Sequence, residues 1–234
     1  MGFLDSIKVR SAILKQQKGD TAAAKAEYER MYAAGNIDPA YLLPYTVLLL
    51  REGGDENYEK VKEILRKVDK VKGLAPDRKQ QVHLNYAVAQ YKTGHLPEAI
   101  HLLEVSHQKT HCGATYGALG FLYVQAGDQE KGLPYNLEAL DYDDEDPVVL
   151  DNLAQMYYRV LGDKETALKY FQKAHEIKPS QIDTLYFLSR YDLDKGDKAA
   201  ALEKLETALE GRFSPLNYQT KEDIEKEIER VKGL

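Results

Sequence analysis

The stretch LDNLAQMYYRVLGDKETALKYFQKAHEIKP, residues 150–179, sets how the rest of the chain reads. Leu150, Leu153, Ala154 and Tyr157 fall at i, i+3, i+4 and i+7, so they share one face of a helix. Val160-Leu161-Gly162-Asp163 ends that helix on a glycine suited to a left-handed cap. Ala167, Phe171 and Ala174 stripe a second helix, and Pro179 stands where it can no longer continue. The short turn forces the two helices antiparallel. One unit is therefore helix, tight turn, helix.

The same grammar recurs along the chain. Gly19, Gly94, Gly127, Gly162 and Gly196 each follow an apolar helical stretch, and the last four stand 33, 35 and 34 residues apart. A period near 34 residues means stacked supersecondary units. The preceding unit reads Tyr116, Leu119, Gly120, Tyr123, Gly127 and Ala139, and the following one Leu185, Leu188, Ser189, Gly196, Ala201, Leu205 and Ala208. Ala87, Gly94, Ala99 and Leu103 carry an earlier unit, and Ala12, Gly19, Ala24 and Tyr28 the first. Ala154 and Ala167 must be small because the paired helices cross closely there. Leu153, Tyr157 and Phe171 fill the space toward the next hairpin. No hairpin buries its face alone, so the stack is the core.

This pattern resembles the tetratricopeptide repeat family, which asks for a large apolar residue, Leu, a small residue, Tyr, Gly, then Ala, an aromatic, Ala and Pro. Residues 150–179 meet it with one extra residue before the turn glycine. The resemblance covers nearly the whole chain and implies an all-α, right-handed superhelical solenoid of about six helical hairpins plus a C-terminal capping helix. The expected repeats are 5–38, 39–76, 80–112, 113–146, 147–181 and 182–215 of a single domain, with the cap at 219–232. Thr220-Lys221-Glu222-Asp223 offers the cap a start, and Ile224, Ile228 and Val231 its one apolar stripe.

Two units bend the grammar. In the second, Pro44 sits where helix should already run, so that helix starts late or kinks. Its turn, Gly53-Gly54-Asp55-Glu56-Asn57, reads about three residues longer than the family loop. Val61, Leu65 and Val68 carry its second helix, and Gly73-Leu74-Ala75-Pro76 reads as a loose, hinge-like connection. The fourth has Gly132 where alanine belongs, with Pro134 beyond it, which reads as a tolerated kink near a helix start.

Composition narrows the function classes. Hydrophobic residues make up 43% and charged residues 30%, as in ordinary soluble proteins, which argues against disordered and fibrous classes. A net charge of −6 suits no nucleic-acid backbone. One cysteine, Cys112, allows no internal disulfide and fits a reducing compartment. No apolar run approaches the roughly 20 residues a bilayer requires, and the amino terminus lacks signal-peptide character. The expectation is a cytoplasmic chain without membrane insertion. Met1-Gly2-Phe3-Leu4-Asp5-Ser6 formally fits an acylation pattern but reads as an ordinary start.

Three constellations are weighed for chemistry. His101, His107, His111 and Cys112 lie close in sequence, but the segment runs off a helix end, and they read as surface side chains with no metal or other cofactor. Asp141 to Asp146 lacks the glycine and final carboxylate of a calcium loop and reads as a solvated turn in which Asp146 caps the next helix. The basic run from Lys60 to Lys79 is interleaved with Glu63 and Asp69 and reads as one solvated face. No catalytic motif stands out, so no catalytic residue is expected.

In the family, first helices of successive hairpins line a concave groove for an extended peptide or a partner helix. Carried over, its positions are Leu84, Val88, Tyr91 and Lys92; Phe121, Val124 and Gln125; Asp151, Gln155, Tyr158 and Arg159; and Tyr186, Arg190, Leu193 and Asp194. Tyr91, Phe121, Tyr158 and Tyr186 would serve as packing anchors, and Arg159 and Arg190 would fix polar ends. Members that clamp a terminal carboxylate need Lys and Asn where this chain has Val88, Gly117, Asp151 and Gln155, so that ligand is disfavoured. The resemblance implies a non-catalytic scaffold for a protein or peptide partner. A self-assembling homo-oligomeric scaffold and an accessory metal-binding or enzymatic module are the alternatives.

Overall fold

The computed structural model describes residues 3–234, with side chains from Ile7 onward. Met1 and Gly2, on which the acylation pattern turns, lie outside the described residues. The fold is all-α, with no strand among the described residues and no helix long and apolar enough to cross a membrane. The chain divides into two compact units whose boundary falls between Ser106 and His107.

The first unit holds α1 (Phe3–Gln17), α2 (Thr21–Ala33), α3 (Pro39–Glu52), α4 (Asp55–Val68), α5 (Pro76–Lys92) and α6 (Leu96–His107), whose last residue opens the second. Here α1 packs on α2, α3 on α4, and α5 against both α3 and α4. Buried Tyr28 stacks on Tyr41 at 6.0 Å and tilts against Tyr45 at 5.5 Å, joining the first two hairpins. Pro44 neither delays nor ends its helix. Asp38 caps α3 by accepting from Ala40 N at 2.9 Å, and the helix runs through the proline. The long turn expected after Arg51-Glu52 is absent. Gly53 and Gly54 alone make it, with φ of 73° and 89°, and α4 starts at once with Asp55 and Glu56 in its first turn. Two successive glycines with positive φ and extended ψ reverse the chain in minimal length, and the acids at α4's start complement the exposed N–H groups there. Val61, Leu65 and Val68 face the core as expected. The basic run is interleaved with acids, Lys67 meeting Glu63 at 2.7 Å and Lys79 meeting Asp69 at 3.3 Å.

The second unit holds α7 (Gly113–Ala126), α8 (Gln129–Tyr142), α9 (Pro147–Gln155), α10 (Lys164–Ile177), α11 (Ile182–Asp194), α12 (Lys198–Leu209) and α13 (Lys221–Lys232). Four turns of the chain share a two-residue device. Gly19, Gly127, Gly162 and Gly196 take φ between 65° and 86°, and the aspartate after each caps the following helix. The glycine closes one helix and the aspartate opens the next. Asp146 caps α9 by accepting from Val148 N at 2.8 Å, as expected of the acidic turn. At the carboxy end, Thr220 and Asp223 form a reciprocal capping box, and Ile224, Ile228 and Val231 of α13 bury against Ile182, Leu185, Leu205 and Ala208.

The extra residue before Gly162 is absorbed by a π-helical turn, Met156–Leu161, that continues α9. A π-turn adds a residue without breaking the helix. Both flanking contacts therefore keep their register: Ala154 and Ala167 remain fully buried in one cluster with Phe171.

Gly132 also has a physical cause. A Cβ there would run into Cε of buried Met156, the first residue of the π-turn, and press on Tyr123 Cβ at 3.0 Å. The α7–α8 crossing is tight on its other side too. Buried Asn136 donates to the Gly132 carbonyl at 2.8 Å and the Gly120 carbonyl at 3.4 Å, and a Cβ on Gly120 would collide with its Oδ1. Gly120→Ala is expected to lower stability by roughly 1–2 kcal/mol in urea unfolding, overpacking of about 1–3 exceeding a helix-propensity gain of about 1. In a double-mutant cycle, Asn136→Ala should remove most of that added cost; strict additivity would refute the clash.

Candidate functional site

Of the groove residues carried over from the family, Leu84, Val88 and Tyr91 lie on α5 in the first unit. Leu84 and Tyr91 are half-buried and Val88 is buried. A shallow depression of this unit lies elsewhere, between Tyr86 and Gln90 of α5 and Pro97, His101, Leu102 and Val105 of α6. In the second unit Phe121 and Val124 of α7 and Gln155 of α9 are buried. Val88, Phe121, Val124 and Gln155 therefore have almost no surface to offer. Tyr158, Arg159, Tyr186 and Arg190 stay half-buried on the first helices of the fifth and sixth hairpins.

Two of these, Arg159 and Tyr186, meet a segment that sequence reasoning missed, and Tyr158 and Arg190 pack beside them. Tyr218, in the loop before α13, lies against Phe187 with ring centroids 5.4 Å apart and planes 22° apart, and 6.1 Å from Tyr186. Phe187 in turn stacks on Phe171 at 5.0 Å. The Arg159 guanidinium sits 3.9 Å from the Tyr218 ring centroid, close enough for a cation–π contact. The π-turn that carries Arg159 also lets it donate to Gln155 Oε1 at 3.1 Å and Gln125 Oε1 at 3.3 Å. Tyr158 packs on Phe187 at 5.1 Å and Tyr191 at 5.8 Å. Arg190 donates to the Tyr186 hydroxyl at 3.2 Å and pairs with Glu227 of α13 at 3.7 Å.

The Tyr218 segment is held by buried Asp183. Its carboxylate accepts from Asn217 Nδ2 at 3.0 Å, Tyr218 N at 2.9 Å and Gln219 N at 3.3 Å. A second buried carboxylate, Asp151, accepts from Thr184 Oγ1 at 2.6 Å and Gln155 Nε2 at 2.7 Å. Burial raises the pKa of Asp151 first, and the charge of Asp183 adds to it; burial likewise raises Asp183, against the hydrogen bonds of the 217–219 segment. Both acids stand one residue beyond a buried apolar residue, Leu150 and Ile182, on a neighbouring strip of the helix, so no periodic signal in the sequence marks them as buried. Asp151 and Gln155 are spent on this network.

Of the weighed metal ligands, His101 is exposed and faces Glu104 at 3.9 Å, and Cys112 contacts Thr115 Oγ1 at 3.3 Å. His107 and His111 do meet, at 4.3 Å between ring centroids. His107 is buried, so it is not the surface histidine expected, and burial followed by the neighbouring His111 lowers its pKa.

The fold these helices build is the tetratricopeptide repeat fold. A tetratricopeptide repeat protein from Parabacteroides merdae ATCC 43184 aligns over 97% of this chain and 84% of its own, with a TM-score of 0.78 and 11% identity. TTC0263, a thermophilic protein of the same repeat class from Thermus thermophilus, aligns over 84% of this chain and all of its own, with a TM-score of 0.67 and 16% identity. The MamA protein aligns over 77% and 94%, with a TM-score of 0.58 and 19% identity. No family model matches the sequence, and no curated protein matches it.

The buried acids give the unit a pH signature. An acid with a raised folded-state pKa binds its proton more tightly in the native state, so its contribution to stability falls as pH rises above the ordinary carboxylate value of about 4. Between pH 5 and 8 the wild type should therefore lose stability relative to Asp151→Asn, by more than about 1 kcal/mol in urea unfolding. Parallel curves would show that Asp151 titrates normally.

Proposed function

We propose that this chain is a non-catalytic cytoplasmic scaffold that binds a peptide or helix of a partner protein along the first helices of its carboxy-terminal hairpins. The observation that supports this most is the half-buried cluster of Tyr158, Arg159, Tyr186 and Arg190, in which Arg159 and Tyr186 meet the chain's own Tyr218. Tyrosine and arginine are the residue types that dominate binding hot spots. A surface that already stacks one aromatic side chain and sets a guanidinium over it has the chemistry to take an amphipathic, aromatic-bearing segment. Leu84 and Tyr91 extend the reading to the first unit as a second, separate contact surface. The similarity of fold to tetratricopeptide repeat proteins is consistent with a scaffold role and names no partner.

The alternative is a scaffold that assembles from copies of itself. Multi-angle light scattering separates the two, since a concentration-dependent large oligomer would favour self-assembly. For the groove itself, Arg159→Ala and Arg190→Ala are the informative changes, because Tyr158 packs into the core and its removal threatens the fold. Each should weaken capture of the partner by more than about tenfold, a loss typical of a hot-spot residue, measured at a temperature where circular dichroism shows the variant folded, since both arginines also brace the unit's own side chains. Undiminished capture by both variants would reject the surface.

A further inference from the structure

We propose that His107, His111 and Glu138 form a binding site for a divalent metal ion of the zinc class. The three side chains offer one donor atom each, and those atoms all lie within 4.8 Å of one another. His107 ends α6, His111 lies in the turn before α7, and Glu138 projects from α8. The turn between the histidines is not helical, yet it brings their rings edge to face.

The distances suit an ion better than a direct contact. His107 Nε2 stands 3.5 Å from Glu138 Oε1, long for a hydrogen bond. Two donors each about 2.0–2.1 Å from a tetrahedral zinc ion are separated by roughly 3.4 Å. Two imidazole nitrogens with one carboxylate favour zinc and its neighbours over magnesium or calcium, which take oxygen ligands. Three protein ligands leave a fourth position for water or an exogenous donor. His111 and Glu138 are exposed while His107 is buried, so the ion has a route from solvent onto an anchored ligand.

A supporting shell orients both kinds of donor. The Tyr135 hydroxyl lies 3.4 Å from His107 Nδ1 and 3.5 Å from the Thr115 carbonyl. Both contacts are at the long end of hydrogen bonding, and the hydroxyl can brace the ring at Nδ1 in the tautomer that leaves Nε2 free for an ion. The Tyr116 hydroxyl donates to Glu138 Oε1 at 2.7 Å and holds the carboxylate in place. Such outer partners are what a histidine–carboxylate metal site requires. A bound ion would fasten the turn at 107–112 to α8.

The test uses full-length protein without a histidine tag, stripped of metal and titrated with Zn2+ by calorimetry. One equivalent should bind with micromolar affinity or tighter and raise Tm, and Co2+ in its place should give the visible absorption of a low-coordinate site. His111→Ala and Glu138→Gln change exposed side chains and should keep the fold, as circular dichroism will show, while weakening Zn2+ binding more than about tenfold. Tyr135→Phe should weaken it about tenfold through His107 alone. Absence of saturable Zn2+ binding overturns the site, and so does equal affinity in wild type, His111→Ala and Glu138→Gln.

Discussion

The fourth and fifth hairpins of this chain depend on two helices crossing closely enough that only small residues fit between them. Ala154 and Ala167 supply the contact in the fifth hairpin, both fully buried. In the fourth, Gly120 and Gly132 supply it, with the Asn136 amide between them. A crossing this tight fixes where each turn must come, because one residue of drift rotates a helical side chain by about 100°. The Gly-Asp pairs at 19–20, 127–128, 162–163 and 196–197 answer that demand by stopping one helix and starting the next within two residues. The stack follows, since a hairpin so closed still has one apolar face to bury.

The π-turn at Met156–Leu161 follows from the same constraint. The fifth repeat has one residue too many. An extra residue in an ordinary helix would have carried either Leu150-Leu153-Ala154 or the Gly162 turn off its contact. Widening the last turn lets both ends keep register. The cost falls on Met156, whose side chain then occupies the space where the fourth hairpin would have put an alanine methyl, and Gly132 is the accommodation. The turn also moves Arg159 to where it meets Gln125 and Tyr218. π-turns are common at functional positions, and here the one insertion in the repeat carries Tyr158 and Arg159.

What could be read from the sequence divides along the range of the interactions. Helix faces, turn glycines, the capping helix and the all-α fold rest on contacts within a hairpin or between successive ones, and their 3.6-residue period and 34-residue spacing are written in the chain. Pro44 misled because a proline inside a helix costs a backbone hydrogen bond without having to end the helix, and α3 runs on through it. The Gly53 turn misled because Asp55 to Asn57 look like loop residues, though aspartate and glutamate are also favoured in a first helical turn. The contents of the site were not legible. Asp183 holds donors 34 to 36 residues away, and Tyr218 reaches back to Arg159 across the whole sixth hairpin. Neither periodicity nor local propensity encodes such pairings. His107 and His111 likewise meet through a turn, where helical spacing rules say nothing.

The anchoring of Tyr218 decides what kind of surface a partner would meet. If this side chain were loosely placed, it would act as a plug that a partner displaces. A single cation–π contact of about 0.5–2 kcal/mol would be a modest obstacle to that. But the segment is also held by three donors on the buried Asp183 carboxyl group, each hydrogen bond contributing roughly 0.5–3 kcal/mol across its neutral and charged forms. Pulling Tyr218 away would leave Asp183 buried without partners, a penalty of the same order again. Displacement is therefore the costly route, and a segment arriving on this face meets Tyr218 as part of the wall, beside Tyr186 and the two arginines. On that view the loop before α13 does more than connect the last hairpin to its cap: it completes the surface whose other half the repeats build.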